Sequence, residues 1–244
     1  FKDPAVRKVA ADNLKKLGVE GLVVIGGDGS FTGAKCLSDE QGINVVGIPG
    51  TIDNDLAYTD YTLGFDTAVN TVLWAINALR DTMTSHDRVS LVKVMGRRCG
   101  DIALYAGICG GAEYILVPEV PYDIQKIANE IKKNREHGKT ANVIVLAEGA
   151  GNENEIKTIV SVISGTDVKV TTLGHIQRGG SPSMADRMLA AKFGVHAVNL
   201  LMEGKTNRVI GCHGQKTIDL DITEALSMKK DIDHDLYDMA AKLC

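Results

Sequence analysis

Apolar residues recur along this chain with two alternating periods. After Asp3-Pro4, which offers a cap and a first-turn proline, Val6, Val9, Ala10, Leu14 and Leu17 follow at helical spacing until Gly18. The run 21–25 is short and rich in β-branched residues, which predicts a buried strand leading into Gly26-Gly27-Asp28-Gly29-Ser30 and a helix from about Ser30. A second such run, 43–48, stops at Pro49-Gly50. Phe65, Ala68, Val69, Val72, Leu73, Ile76 and Leu79 mark an amphipathic helix, and 89–95 a strand ending in Gly96-Arg97-Arg98-Cys99-Gly100. Further strands are expected at 114–117, 142–147, 168–172 and 208–212, with helices at 101–109, 124–135, 155–163 and 183–202.

Strands separated by helices imply parallel pairing with helices on both faces of a sheet. The 244 residues, 44% hydrophobic, suffice for a large core and one or two domains. A net charge of −4 argues against a nucleic-acid or anionic-membrane surface, although local basic sites can still hold small anions. The scarcity of aromatics offers no base-stacking platform. Five cysteines, Cys36, Cys99, Cys109, Cys212 and Cys244, form no CxxC pair, so neither a disulfide framework nor a zinc site is indicated, and a reducing cytoplasm fits best. His86, His137, His196, His213 and His234 show no metal-ligand spacing. No apolar run approaches the roughly 18 residues that span a bilayer, and no signal pattern opens the chain. It begins with Phe1 rather than methionine, so a preceding segment is expected.

Candidate chemistry collects after the strands, where open α/β sheets bind ligands. Pro49-Gly50-Thr51-Ile52-Asp53-Asn54-Asp55 crowds two carboxylates, a hydroxyl and an amide together. One carboxylate can take a proton from an attacking hydroxyl, a second can hold the first or a metal, and the threonine can donate to a moving phosphoryl group. The same residues serve equally well as a turn cap. Gly26-Gly27-Asp28-Gly29-Ser30 admits close backbone approach to a phosphate, with Asp28 placed for magnesium, or is simply a tight turn. It has neither the Walker A lysine nor the Rossmann spacing. Arg97 or Arg98 can neutralise phosphoryl charge or stand in solvent. Glu148-Gly149 can accept from a sugar hydroxyl or be a surface loop. The run 174–181 packs His175, Gln177 and Arg178 among glycines, as an anion pocket would.

Taken in order, IGGDGS, PGTIDND, MGRRCGD and LGHIQRGGSP closely resemble the ATP-dependent 6-phosphofructokinases, and the resemblance runs from Phe1 to near Cys244. It implies two three-layer α/β/α domains with mostly parallel sheets: a nucleotide-side domain of 1–64 plus 177–227 and a sugar-phosphate-side domain of 65–176 plus 228–244. It implies transfer of the ATP γ-phosphoryl group to the 1-hydroxyl of fructose 6-phosphate with Mg2+. Asp53 is then the base, and Thr51 and Arg97 steady the phosphoryl group. Asp28 serves the metal, Gly27, Gly29 and Ser30 line the nucleotide, and Asp55 completes the polar cluster. Met95, Gly96, Glu148, Lys169, His175 and Arg178 hold the sugar phosphate. Arg88, in Ser85-His86-Asp87-Arg88, matches a residue that reaches into a neighbouring subunit, which implies an oligomer, commonly a homotetramer. Arg80, Gly111, Glu113 and Lys139 match an effector site for ADP or phosphoenolpyruvate.

Members that use diphosphate tend to carry Asp at the position of Gly29 and Lys at that of Gly50; glycine at both favours ATP. A diphosphate-dependent enzyme, a non-catalytic regulatory subunit, and an NAD or diacylglycerol kinase sharing only the GGDG turn are the rivals. The chain departs from the family pattern in three places. Lys169 replaces a common arginine, which keeps the charge but loses bidentate contact. His137, Thr140 and Ala141 differ from the more basic effector site. The family's first strand, glycine-rich loop and further arginines fall ahead of Phe1. Without them an exposed apolar sheet edge is expected, and little kinase activity from this chain alone, compared with a version extended upstream.

Overall fold

In the computed structural model the described residues are 1–83, 88–139 and 141–243. Ser85, His86, Asp87, Thr140 and Cys244 lie outside them. In chain order the elements are α1 (Pro4–Lys16), β1 (Leu22–Gly26), α2 (Asp28–Gln41), β2 (Val45–Pro49), α3 (Phe65–Met83), β3 (Arg88–Val94), α4 (Asp101–Cys109), β4 (Tyr114–Leu116) and α5 (Ile124–Glu136). There follow β5 (Asn142–Ala147), α6 (Glu153–Ser164), β6 (Asp167–Thr172), a 3-10 turn (Gly174–Arg178), α7 (Met184–Met202), β7 (Arg208–His213), β8 (Lys216–Asp221), α8 (Ile222–Ser227) and α9 (His234–Ala240). No helix among the described residues is long and apolar enough to cross a membrane.

Contacts divide the chain into two units. The first comprises Phe1–Thr51, Leu56–Gly64 and Met184–Lys230, and the second Ile52–Asp55, Phe65–Ser183 and Asp231–Cys244. Residues 52–55 and 177–183 thus pack with the second unit and 228–230 with the first, the reverse of the grouping expected from the sequence.

The first unit has one sheet in the order β1-β2-β7-β8. Val45, Val209, Leu22 and Val24 pack on one face against Phe31, Ala34 and Leu37 of α2 and Ala11 of α1. Val46, Ile48 and Ile210 pack on the other against Phe193, Ala197 and Leu200 of α7. The alternation of neighbouring residues between faces is the pleat of a sheet covered on both sides. β1 and β8 are the edge strands, and Ile25 on β1 is 66% exposed. α7 carries apolar residues outside its core stripe as well, and Met184, Met188, Val195, Val198 and Met202 are exposed.

The second unit repeats the plan in the order β4-β5-β3-β6, all parallel. Val92, Val94, Val143 and Val145 meet α3 and α4, while Leu91, Ile144, Leu146 and Val168 meet α5 and α6. Each such fully buried side chain contributes roughly 1.5–3 kcal/mol through water exclusion, so the sheet is the rigid part on which loops are mounted.

Two departures from the sequence pattern matter. α2 begins at Asp28, not near Ser30, so Asp28, Gly29 and Ser30 form its first turn; the Ser30 and Phe31 amides donate to the Gly27 carbonyl at 2.9 and 3.1 Å. β8 pairs antiparallel with β7, the one antiparallel pairing among the described strands of sheets expected to be mostly parallel, and the sequence pattern did not mark it as a strand. With only Ile218 and Leu220 apolar, β8 is too polar to show a strand period, and α8 and α9, at 6 and 7 residues, are too short to show a helical one.

Candidate active site

β5, β3 and β6 are neighbours in the second sheet, so the segments leaving their carboxyl ends converge. After β3, Gly96 has φ 136° and Arg97 φ 54°. A left-handed backbone is strained for arginine, by about 1–3 kcal/mol, and needs its surroundings to impose it. The Arg97 amide donates to Glu148 Oε1 at 2.7 Å, and Glu148 itself leaves the end of β5. A side chain on Gly149 would run into the Arg97 carbonyl, and one on Gly96 into that of Cys99. Glycine at 96 and 149 and the carboxylate at 148 together force the strained turn.

The turn aims its guanidinium at Asp53. Arg97 Nε lies 3.2 Å from Asp53 Oδ2, with the arginine side chain 71% exposed and Asp53 almost wholly buried, at 4%. Burial is the main force raising the Asp53 pKa above its ordinary value; Asp55 and Glu148 push the same way, while Arg97 and Arg178 oppose them. An aspartate held high beside a solvent-facing cation is suited to accept a proton from a bound hydroxyl. Asn54, in the left-handed region at φ 52°, separates the two carboxylates, and its side-chain amide donates to Asp101 Oδ2 at 2.8 Å.

The 3-10 turn after β6 carries His175 and Arg178, both exposed, around a buried Gln177. Gln177 accepts from the Met95 amide at 3.2 Å and donates to the Gly174 carbonyl at 3.0 Å, tying the turn to the end of β3. Sequence reasoning treated Gln177 only as one polar residue of its motif. The available signal was an amide set among glycines between a histidine and an arginine, since an amide can both donate and accept.

In the first unit, Gly27 caps α2 without a side-chain hydrogen bond, and Asp28, Gly29 and Ser30 are exposed in its opening turn. Thr51 belongs to this unit: a side chain on Gly27 would meet Thr51 Cβ at 3.9 Å, and the Thr51 carbonyl accepts from Thr62 Oγ1 at 2.6 Å. Among the described residues no atom stands within 4 Å of a side chain built on Gly29, but one on Gly50 would come to 2.7 Å from Ile25 Cγ2. Gly50 is therefore small for strand packing as well as for any ligand.

The phosphofructokinase family model matches residues 1–201. The chain belongs to the phosphofructokinase family. It is 58% identical over 243 residues to the ATP-dependent 6-phosphofructokinase of Clostridium tetani (strain Massachusetts / E88), covering 100% of this chain and 76% of that protein. It is 57% identical to ATP-dependent 6-phosphofructokinase 1 of Clostridium perfringens (strain 13 / Type A), covering 98% of this chain and 75% of the relative. Phosphofructokinase from Saccharomyces cerevisiae superposes with a TM-score of 0.88 at 32% identity, covering 100% of this chain and 37% of the yeast chain.

Within this phosphofructokinase fold the remaining expected residues fall into two further groups, both in the second unit. Arg88 and Lys169 flank Asp167 at 3.7 and 2.9 Å, with Arg88 opposite Asp167 and Lys169 opposite Ser90 in the β3–β6 register. Arg88 opens β3 and Arg97 follows its end, so the two stand roughly 20 Å or more apart along the strand. The structure does not bring Arg88 to Asp53 within this chain. Arg80, Gly111, Glu113 and Lys139 do assemble: Arg80 donates to the Gly110 and Gly111 carbonyls, and Glu113 lies 3.8 Å from Arg80 and 3.5 Å from Lys139.

Among the described residues no three His, Cys, Asp or Glu side chains gather as a metal cage. Magnesium at a phosphoryl-transfer site is held by one or two carboxylates plus phosphate oxygens and water, so the exposed Asp28 carboxylate at a helix N-terminus fits it as a hard oxygen ligand.

Proposed function

We propose that this chain transfers the γ-phosphoryl group of ATP to the 1-hydroxyl of fructose 6-phosphate, giving fructose 1,6-bisphosphate and ADP, with Asp53 as general base. The observation that carries the reading is the buried Asp53 carboxylate, raised in pKa by burial and set 3.2 Å from the exposed Arg97 guanidinium. Asp53 takes the proton as the hydroxyl oxygen bonds to phosphorus; the bond from phosphorus to the β-phosphate oxygen breaks, and its electrons leave on ADP. Arg97 and the Thr51 hydroxyl offset charge on the moving group, which is the larger part of catalysis in such transfers.

Gly27, Asp28, Gly29 and Ser30 receive the nucleotide at the start of α2, which no side chain caps and where amides and helix dipole favour phosphate. Asp28 would hold Mg2+, which when bound supplies charge neutralisation across the phosphates. ATP is preferred to diphosphate because the Clostridium relatives are ATP-dependent and the space at Gly29 is open. Met95, Gly96, Glu148, His175 and Arg178 bind the sugar phosphate, Asp55 supports Asp53, and Lys169, which shares Asp167 with Arg88, contacts the sugar phosphate from the same side as Arg88. Arg88, at the far end of β3, serves the site of a neighbouring copy in a homotetramer. The Arg80, Gly111, Glu113 and Lys139 group takes an ADP or phosphoenolpyruvate effector, and the protein works in the cytoplasm. The nucleotide-side function belongs to the unit of Phe1–Thr51, Leu56–Gly64 and Met184–Lys230, and the sugar-phosphate side to that of Ile52–Asp55, Phe65–Ser183 and Asp231–Cys244.

Asp53→Ser tests the assignment. Turnover of the active enzyme should fall about 10²–10⁴-fold while fructose 6-phosphate binding by calorimetry stays within about threefold. Near-normal turnover would refute the base.

A further inference from the structure

We propose that Asp101, in the first turn of α4, is a positioning residue that grips the side chain of Asn54 and so sets the placement of the Asp53 carboxylate. The inference rests on the reading of Asp53 as the base. Asn54 is 1% exposed and Asp101 4%, and the 2.8 Å hydrogen bond between them spans 47 positions of sequence. An asparagine at φ 52° ordinarily satisfies its amide locally, in a turn of its own making. Here the amide reaches a buried carboxylate on another element, so the residue does more than permit a left-handed bend. Its carbonyl is approached as well, by Cys99 Sγ at 3.8 Å.

The element that provides the grip is fixed. Between Cys99 and Asp101, the Gly100 amide donates to Glu119 Oε1 at 2.8 Å. A side chain on Gly100 would meet Val117 Cβ at 2.5 Å and Glu119 Oε2 at 2.8 Å, so the start of α4 is packed directly on the segment leaving β4. A continuous path of contact therefore runs from the end of β4 through Gly100 and Asp101 to Asn54, one residue from the base. Asp53 also meets Arg97, whose side chain is largely exposed. The buried hydrogen bond on the Asn54 side thus contributes to where the carboxylate stands, and reacting groups misplaced by 1 Å lose rate steeply.

The competing explanation is that Asp101 merely complements the dipole of α4. Three variants of the active enzyme separate the two, with Asp53→Ser made alongside. Asp101→Leu removes charge and acceptor; Asp101→Asn removes the charge but keeps an oxygen for the Asn54 amide. Asn54→Gly removes the amide while tolerating φ 52°. We expect kcat to fall about 10–100-fold in Asp101→Leu and Asn54→Gly, with both KM values within about twofold and the acid limb of the kcat–pH profile displaced. Asp101→Asn should recover most of kcat, and the Asn54→Gly/Asp101→Leu double variant should be no slower than the slower single one. Parental kcat in Asn54→Gly overturns the proposal even where Asp101→Leu fails to fold, and so does a loss in the double variant equal to the product of the singles. If Asp53→Ser collapses turnover while the tether variants do not, only the tether is wrong. If Asp53→Ser stays active, the base assignment falls and the tether with it.

Discussion

The turn that enters α2 in the first unit and the turn that enters α4 in the second both follow a parallel strand and are both rich in glycine, yet they use glycine differently. At α2, the side-chain space of Gly29 is open and Gly27 caps the helix with backbone alone. At α4, Gly96 and Gly100 are glycine because protein atoms occupy the space, and Arg97, Asn54, Glu119 and Asp101 are tied by side-chain hydrogen bonds. A phosphate chain can be received by amides that any sequence offers, provided nothing bulky intervenes. A base and its cation must be held as side chains, and side chains are held only by packing and hydrogen bonds from several elements.

The contrast can be broken at four points. Arg97→Ala should lower kcat about 10²–10³-fold with little change in melting temperature, because the guanidinium is exposed and acts on the reacting group. A large loss of stability instead would make Arg97 structural. Gly100→Ala should cost about 1–3 kcal/mol in urea unfolding, since Val117 Cβ leaves no room, and an unchanged midpoint would show that α4 can shift. At the other turn, Gly29→Asp should leave the midpoint unmoved but raise the KM for ATP about tenfold, or about 1.4 kcal/mol, by placing a carboxylate where phosphate binds. An unaltered KM would remove this turn from the nucleotide site.

The smallest effect concerns Asp53→Asn, expected to raise the melting temperature by roughly 1–4 °C at pH 7–8. Because the native Asp53 pKa is raised, the folded state keeps a proton that the unfolded chain releases, and stability falls as pH climbs from the unfolded to the native value. The asparagine avoids that loss, so its advantage should be complete above the native pKa and vanish below the unfolded one. An advantage that grows on acidification would reverse the sign assigned to burial.

The two sheets and most of their elements were legible because buried parallel strands are β-branched runs and the helices between them carry a 3.6-residue stripe. α4 was read with its observed limits, while β8 was invisible because its alternation rests on Ile218 and Leu220 alone. At the site, the motifs placed Asp53, Arg97, Glu148, His175 and Arg178 at strand ends. That Glu148 would spend an oxygen on the Arg97 amide, that Gln177 would tie two loops together, and that Asn54 would be gripped by Asp101 was not legible, since each pair lies 47 or more positions apart.

By itself, then, the sequence determined the alternating α/β plan, the family, and which polar residues stand at which strand ends, because periodicity and motif order are local properties of a chain. Only the tertiary structure decided which carboxylate is buried and raised, which arginine faces it, and why Arg88 lies far from it. Burial and through-space charge depend on elements brought together from distant positions, and strand order, not chain order, sets those distances.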